Sequence, residues 1–159
     1  MSKTLIILVG NIGTGKSTFA SCYKQKKTKK NYQIINVDSI VNMLGGGVYD
    51  FDESKRELYY DILEQTASSL MGVGENIIND NPNLTVEERK GLISQAKYFG
   101  YKIKCFDFGK GDDESLNRRL NNDRGIIEGV WKNVHKMFMG KYQKPTSSED
   151  GLGNIRKTN

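Results

Sequence analysis

Cysteine and histidine are scarce in this chain of 159 residues: Cys22, Cys105 and His135 are all it has. Two isolated cysteines supply neither a disulfide framework nor a zinc ligand set. Both are expected to be packing residues. A single histidine argues against histidine-based metal chemistry and against a Ser-His-Asp triad. His135 is expected to be a structural residue on a late helix. Long apolar runs are missing too, and nothing approaches the roughly 20 apolar residues that span a bilayer. The first such run, Leu5 to Val9, stops at glycine and does not have the form of a signal peptide. A soluble, cytoplasmic protein is the expectation. Neither sign of charge dominates: 24 Lys and Arg face 19 Asp and Glu, a net +5, which suits an acidic partner without requiring one. No internal repeat is present. The length suits one domain able to bury its own core.

What is present is an alternation of apolar, β-rich runs with helical patterns. Strands are expected over Thr4 to Val9, Gln33 to Val37, Glu75 to Asn79 and Tyr101 to Phe108. Helices are expected over Lys16 to Lys27, from Ser39 to Gly45-Gly46-Gly47, and over Glu53 to Leu70 and Thr85 to Phe99. Two more run from Asp112 or Asp113 to Asn121 and from Ile127 to Tyr142. Thr85 and Glu88 have the spacing of a capping box. The alternation predicts an α/β fold, a parallel sheet of about four strands in the order 2-3-1-4 with helices on both faces. Residues 1–142 would form this domain. Residues 143–159 read as a polar tail with little to pack beyond Leu152 and Ile155.

Between the first strand and the first helix lies V-G-N-I-G-T-G-K-S-T, Val9 to Thr18. Gly10 to Ser17 matches G-x-x-x-x-G-K-[ST] without a gap and in the right context, strand before and helix after. Glycines at 10, 13 and 15 allow a tight turn that brings backbone N–H groups inward. With Asn11, Ile12, Thr14 and Thr18, and with the positive end of the helix, they form an anion cradle. Lys16 can reach the β- and γ-phosphates, and Ser17 can ligate Mg²⁺. The motif predicts bound ATP or another nucleoside triphosphate, in a P-loop NTPase fold. It does not by itself separate kinase, GTPase, ATPase and passive binder. The fourth strand ends Asp107-Phe108-Gly109-Lys110, with no N-K-x-D element, which disfavours a GTPase. The chain is short for a mechanical ATPase.

Chemistry in open parallel sheets gathers at the carboxyl ends of the strands. The second strand delivers Asp38 there and the third delivers Asp80. Phosphoryl transfer to a hydroxyl needs a group that orients or deprotonates it, metal coordination, and cations for the spreading charge. Asp38 suits the first role, and Asp80 a place in the magnesium shell, through water. Each also has a plainer reading, Asp38 as a helix cap and Asp80 as the start of the turn D-N-P-N. Arg118 to Gly125 forms a basic segment able to act as a lid. Arg119 and Arg124 suit contacts with the transferred phosphate, whereas Arg118 suits pairing with Asp112 or Glu114 along its helix. The lysines from 24 to 30 lie roughly 15 Å along the first helix from the phosphate loop, and read as a solvated helix end.

These segments resemble the P-loop kinase domain of phage-type polynucleotide 5′-hydroxyl kinases. The P-loop is generic. The similarity is more specific in I-I-N-D-N-P-N-L-T-V-E-E-R-K-G-L, in Y-F-G-Y-K-I-K-C-F-D-F, in N-N-D-R-G and in I-I-N-V-D-S, and it covers roughly Leu5 to Tyr142. The resemblance implies transfer of the ATP γ-phosphate to the 5′-OH end of DNA or RNA with Mg²⁺, and location in a cytoplasm, the host's if phage-encoded. By motif, Asp38 takes the general-base position and Asp80 the second acidic one. Lys16, Ser17 and Arg124 take phosphate and metal positions, and Arg119 falls one residue from a lid arginine. The family often carries an arginine three residues after the base, to meet the acceptor's 3′-phosphate; here that position is Val41. Arg56 or Arg89 would have to substitute, or the acceptor differs. The D-x-D-G-T signature of the phosphatase domain fused to some relatives is absent.

The acceptor is expected near Asp38, with Tyr49 and Phe51 available to stack on a base, although Phe51 also suits the core. Trp131 reads as a core or helix-packing residue. A nucleoside, mononucleotide or other small hydroxyl acceptor is the alternative, and an ATP-dependent binding module the third reading. Oligomeric state is not legible in the sequence.

Overall fold

The structure, a computed structural model, describes residues 3–27, 30–122, 128–149, 151–153 and 155–158. Its centre is β1 (Thr4–Val9), buried along its whole length. Leu5, Ile7 and Val9 enter one core layer, and Ile6 and Leu8 the other. A strand buried on both faces has to be apolar continuously, as T-L-I-I-L-V is. β1 pairs in parallel with β3 (Asn76–Asn79) on one side and β4 (Lys102–Asp107) on the other. β2 (Tyr32–Ile35) lies outside β3, and β5 (Ile155–Lys157) outside β4. The order is β2-β3-β1-β4-β5. The expected 2-3-1-4 order is present, extended by a fifth strand.

Helices cover both faces. On one, α2 (Val37–Leu44), α3 (Arg56–Gly72) and α4 (Val86–Tyr98) contribute Ile40, Val41, Leu63, Ala67, Met71, Ile93 and Ala96 to the larger core. On the other, α1 (Lys16–Lys26) packs Phe19, Ala20 and Tyr23 against Ile78, Phe106 and Tyr32. The Phe19 and Phe106 rings are 4.6 Å apart, and Tyr23 meets Tyr32 edge-on at 5.5 Å. α5 (Asp113–Asn121) and α6 (Glu128–Lys141) pack on each other. The capping box at Thr85 forms as its spacing predicts, and Asp112 caps α5 through the Ser115 amide. α3 is entered through a 3-10 turn, Glu53–Lys55.

Three expectations need correction. β2 ends at Ile35, two residues early, because the Asn36 side chain accepts the Ser39 amide at 2.7 Å and starts α2. Asn36 takes the cap, so Asp38 lies in the first helical turn. Cys22 is exposed on α1, while Cys105 is buried in β4 and burial pushes its thiol up to about 12. The segment from residue 143, expected to pack little, is built into the fold. Leu152 is buried in the larger core, and β5 extends the sheet. Glu149 forms a two-pronged ion pair with Arg89, at 2.6 and 2.8 Å, with both side chains nearly closed to solvent. The lysines at 24, 26 and 27 are exposed, as a solvated helix end should be.

A buried ion pair broken on one side leaves the other charge without compensation. Glu149→Ala is therefore expected to lower unfolding stability by about 3 kcal/mol, read from urea melts. The double variant Arg89→Met/Glu149→Leu is expected to lose less than Glu149→Ala alone.

Candidate active site

The carboxyl edge of β1 runs straight into the glycine-rich loop. Gly10, Gly13 and Gly15 all have positive φ, at 152°, 71° and 93°. Gly13 is required for a second reason, since a Cβ there would collide with the Ser115 carbonyl on α5. The loop is braced from behind. Asn11 is fully buried, and its Nδ2 donates to the carbonyls of Lys110 at 2.8 Å and His135 at 2.9 Å. The Gly10 amide donates to the Pro82 carbonyl at 2.9 Å. Gly15, left-handed and without a side chain, precedes α1, whose first turn carries no acidic residue. The leading amides of α1 thus have no capping side chain there, the arrangement that receives an anion.

Lys16 is buried, and its Nζ donates to the Asn11 carbonyl at 2.6 Å. Burial lowers its pKa to about 8, against the opposing pull of the Asp80 and Asp38 carboxylates; Arg119 lowers it slightly further. Two acids and a second cation thus act on one buried ammonium group.

A cleft of about 760 Å³ opens over this lysine. Ile12, Gly13 and Gly15 to Thr18 form its floor, with Asp38 from α2, Asp80 at the end of β3, and Arg118 and Arg119 from α5. Gly10, Asn11 and Thr14 sit behind the floor, where Thr14 Oγ1 donates to the Asn11 carbonyl at 2.7 Å. Arg124 lies outside the described residues. The structure therefore brings Lys16, Ser17, Asp38, Asp80 and Arg119 to one cavity. Arg118 pairs with Glu114 at 2.9 Å as expected, but its Nε also donates to the Gly13 carbonyl at 2.9 Å, fastening α5 to the loop.

Sequence reading missed two parts of the site. The first is a buried asparagine network around Asp80. Asn81 Oδ1 accepts the Val37 amide at 2.9 Å, and Asn83 Nδ2 donates to the Leu8 carbonyl at 2.7 Å and to Asn79 Oδ1 at 2.9 Å. It ties the ends of β1 and β3 to the start of α2. The alternating asparagines in N-D-N-P-N were its signal. The second is α6, which lines the cleft with Trp131, Val134 and Phe138. Trp131 lies under Arg119, with Cζ 3.9 Å from the ring centroid.

The opposite wall carries Tyr49, Phe51, Arg56 and Tyr60. Phe51 lines the cleft and also packs on Tyr59 at 5.3 Å. Val41 is buried in the core. Of the two substitutes considered for it, Arg89 is spent on Glu149. Arg56 does line the cleft, held by Glu53 at 2.6 and 3.0 Å. His135 is structural as expected, buried with Nε2 2.9 Å from Ser115 Oγ.

The glycine turn, the helix start and the buried cation fit a nucleoside triphosphate. The described residues contain no cluster of three metal-ligating side chains. Ser17 and Asp80 in one cleft suit Mg²⁺, which is usually held by one or two protein ligands together with phosphates. No helix among the described residues is long and apolar enough to cross a membrane.

A family model described as AAA domain matches residues 5–133. A search of curated proteins finds no match. Among solved structures, the chain is similar to one in the Pnkp1/Rnl/Hen1 RNA repair complex, with TM-score 0.67 and 19% identity over 92% of this chain and 50% of that one. It is similar to a fungal RNA kinase, with TM-score 0.67 and 16% identity over 100% of this chain and 38% of that one. It is also similar to the APS kinase CysC of Mycobacterium tuberculosis, with TM-score 0.66 and 14% identity over 98% and 88%. These likenesses show a P-loop NTPase-like α/β fold. The chain spans half the length of the repair-complex chain.

Burial lowers the pKa of His135, although Asp112 and Asp113 favour its charged form. The unfolded chain therefore binds the proton first as pH falls through about 6.5. Stability contributed by neutral His135 is expected to be complete above that pH and to be lost below it. Urea midpoints of wild type and His135→Gln should diverge between pH 7.5 and 5.5, with wild type falling faster. Parallel curves would show that His135 titrates alike in both states.

Proposed function

The chain belongs to the AAA-domain family, and from that premise we propose that it is a polynucleotide 5′-hydroxyl kinase, transferring the γ-phosphate of ATP to the 5′-OH of DNA or RNA. The observation that carries the reading is that Asp38 and Lys16 line one cleft. A nucleotide switch needs a phosphate cradle but no acid facing it across an open cavity. The similarity to a fungal RNA kinase and to a chain of an RNA repair complex supports a nucleic-acid acceptor.

In this reading the loop amides and Lys16 bind the triphosphate, and Asp38 orients the acceptor hydroxyl and takes its proton. Arg119 and Arg124 donate to the oxygens of the transferred group. Ser17 and Asp80, the latter through water, would hold magnesium, whose charge would offset that of the phosphates. Tyr49 and Phe51 offer ring faces to an acceptor base. We assign this chemistry to residues 1–142, with Glu149 bracing α4 and β5 bracing β4.

A smaller acceptor is the second reading. Val41 is buried where relatives often carry an arginine, and the similarity to APS kinase spans nearly the whole chain.

Labelled ATP offered to a 5′-hydroxyl oligonucleotide and to a panel of nucleosides separates the two. Transfer to the oligonucleotide is expected; transfer to nucleosides alone selects the second reading. Asp38→Asn is expected to lower kcat by roughly 10² to 10⁴ with ATP affinity nearly unchanged. Near-normal turnover in that variant would remove Asp38 from the base position.

A further inference from the structure

Trp131 is the sole tryptophan of the chain and is 5% exposed. Buried tryptophans usually serve a core, yet among the described residues Trp131 is in neither core cluster. Its Nε1–H is buried with no partner among the described residues. Trp131 counts among the buried apolar residues, but buried indole N–H groups normally find an acceptor, and this one has none among the described residues. The ring instead lines the cleft, with the Arg119 guanidinium against its face at 3.9 Å from the centroid.

The pairing answers an electrostatic problem. Arg119 acts on Lys16 as one like charge on another. An aromatic face attracts a guanidinium through the ring quadrupole. It does so without consuming N–H donors, which lie in the guanidinium plane. α6 is thus suited to hold Arg119 beside the phosphate cradle before nucleotide arrives. Pre-positioned donors need no reorganisation as charge develops.

We infer that Trp131 is a positioning residue for Arg119, holding its guanidinium at the wall of the cleft beside the phosphate loop. The inference rests on reading the cleft as a phosphoryl-transfer site. It assigns Trp131 no contact with the reacting atoms, so its whole effect passes through Arg119.

A double-mutant cycle over Trp131→Leu and Arg119→Ala tests this. It is read as transfer from ATP to a 5′-hydroxyl oligonucleotide, and in parallel as calorimetric affinity for a non-hydrolysable ATP analogue with magnesium. Trp131→Leu is expected to lower kcat roughly tenfold when Arg119 is present and under about twofold when it is absent. Trp131→Phe, which keeps a smaller ring, should lose less than Trp131→Leu, a few-fold at most. An equal cost of Trp131→Leu in both backgrounds would overturn the inference. If no acceptor is phosphorylated, the kinase reading fails by itself. The affinity cycle then decides the role of Trp131, coupling supporting it and additivity overturning it. If Trp131→Leu fails to fold, as judged by thermal melting, the cycle is run with Trp131→Phe. A few-fold loss confined to the Arg119 background is then expected, and an equal loss in both backgrounds overturns the inference.

Discussion

A cation sits where water is nearly excluded, and the site is organised around it. Lys16 opens α1 in a buried position, its ammonium bonded to a carbonyl of its own loop. Burial alone would favour the neutral amine, and the carboxylates of Asp80 and Asp38 oppose that. They reach the lysine from two other elements, the end of β3 and the first turn of α2. A parallel sheet brings these three points to one edge because every strand delivers its carboxyl end to the same side. A triphosphate is the natural counterpart of such a lysine when helix amides and glycine turns surround it.

The floor of the site is rigid because it is fastened from outside. Asn11 bonds to carbonyls in the β4–α5 loop and in α6, Arg118 reaches back to Gly13, and Gly13 has no room for a side chain against Ser115. The asparagines flanking Asp80 fix β3 to β1 and to α2. The walls differ in chemistry. One is aromatic and partly charged, with Tyr49, Phe51, Tyr60 and Arg56; the other is the apolar face of α6, where Trp131 carries Arg119.

What was legible in the sequence was local or topological. The phosphate loop is one unbroken motif, and β1 and the Thr85 capping box announce themselves over six and four residues. Asp38 and Asp80 followed from the rule for strand ends, although Asp38 proved to be helical because Asn36, not Asp38, caps α2. Contacts far apart in sequence were not legible. Arg89 looks like a surface residue of an amphipathic helix until Glu149, 60 positions later, closes over it. β5 is three residues long, mostly exposed and two-thirds basic, and carries no strand periodicity. Trp131 sits on a helix whose spacing marks a buried face without saying whether it faces core or cleft. Cys22 followed the base rate for its type only until α1 turned Phe19, Ala20 and Tyr23 inward instead.

The central claim is that one cavity seats a triphosphate on Lys16 and an alcohol at Asp38. A crystal structure with a non-hydrolysable ATP analogue, magnesium and a 5′-hydroxyl oligonucleotide tests it most directly. The account predicts the acceptor oxygen within hydrogen-bonding distance of the Asp38 carboxylate and on the side of the terminal phosphorus opposite its leaving oxygen. Nucleotide bound with Asp38 remote from that phosphorus, or with protein filling the space between them, would contradict it.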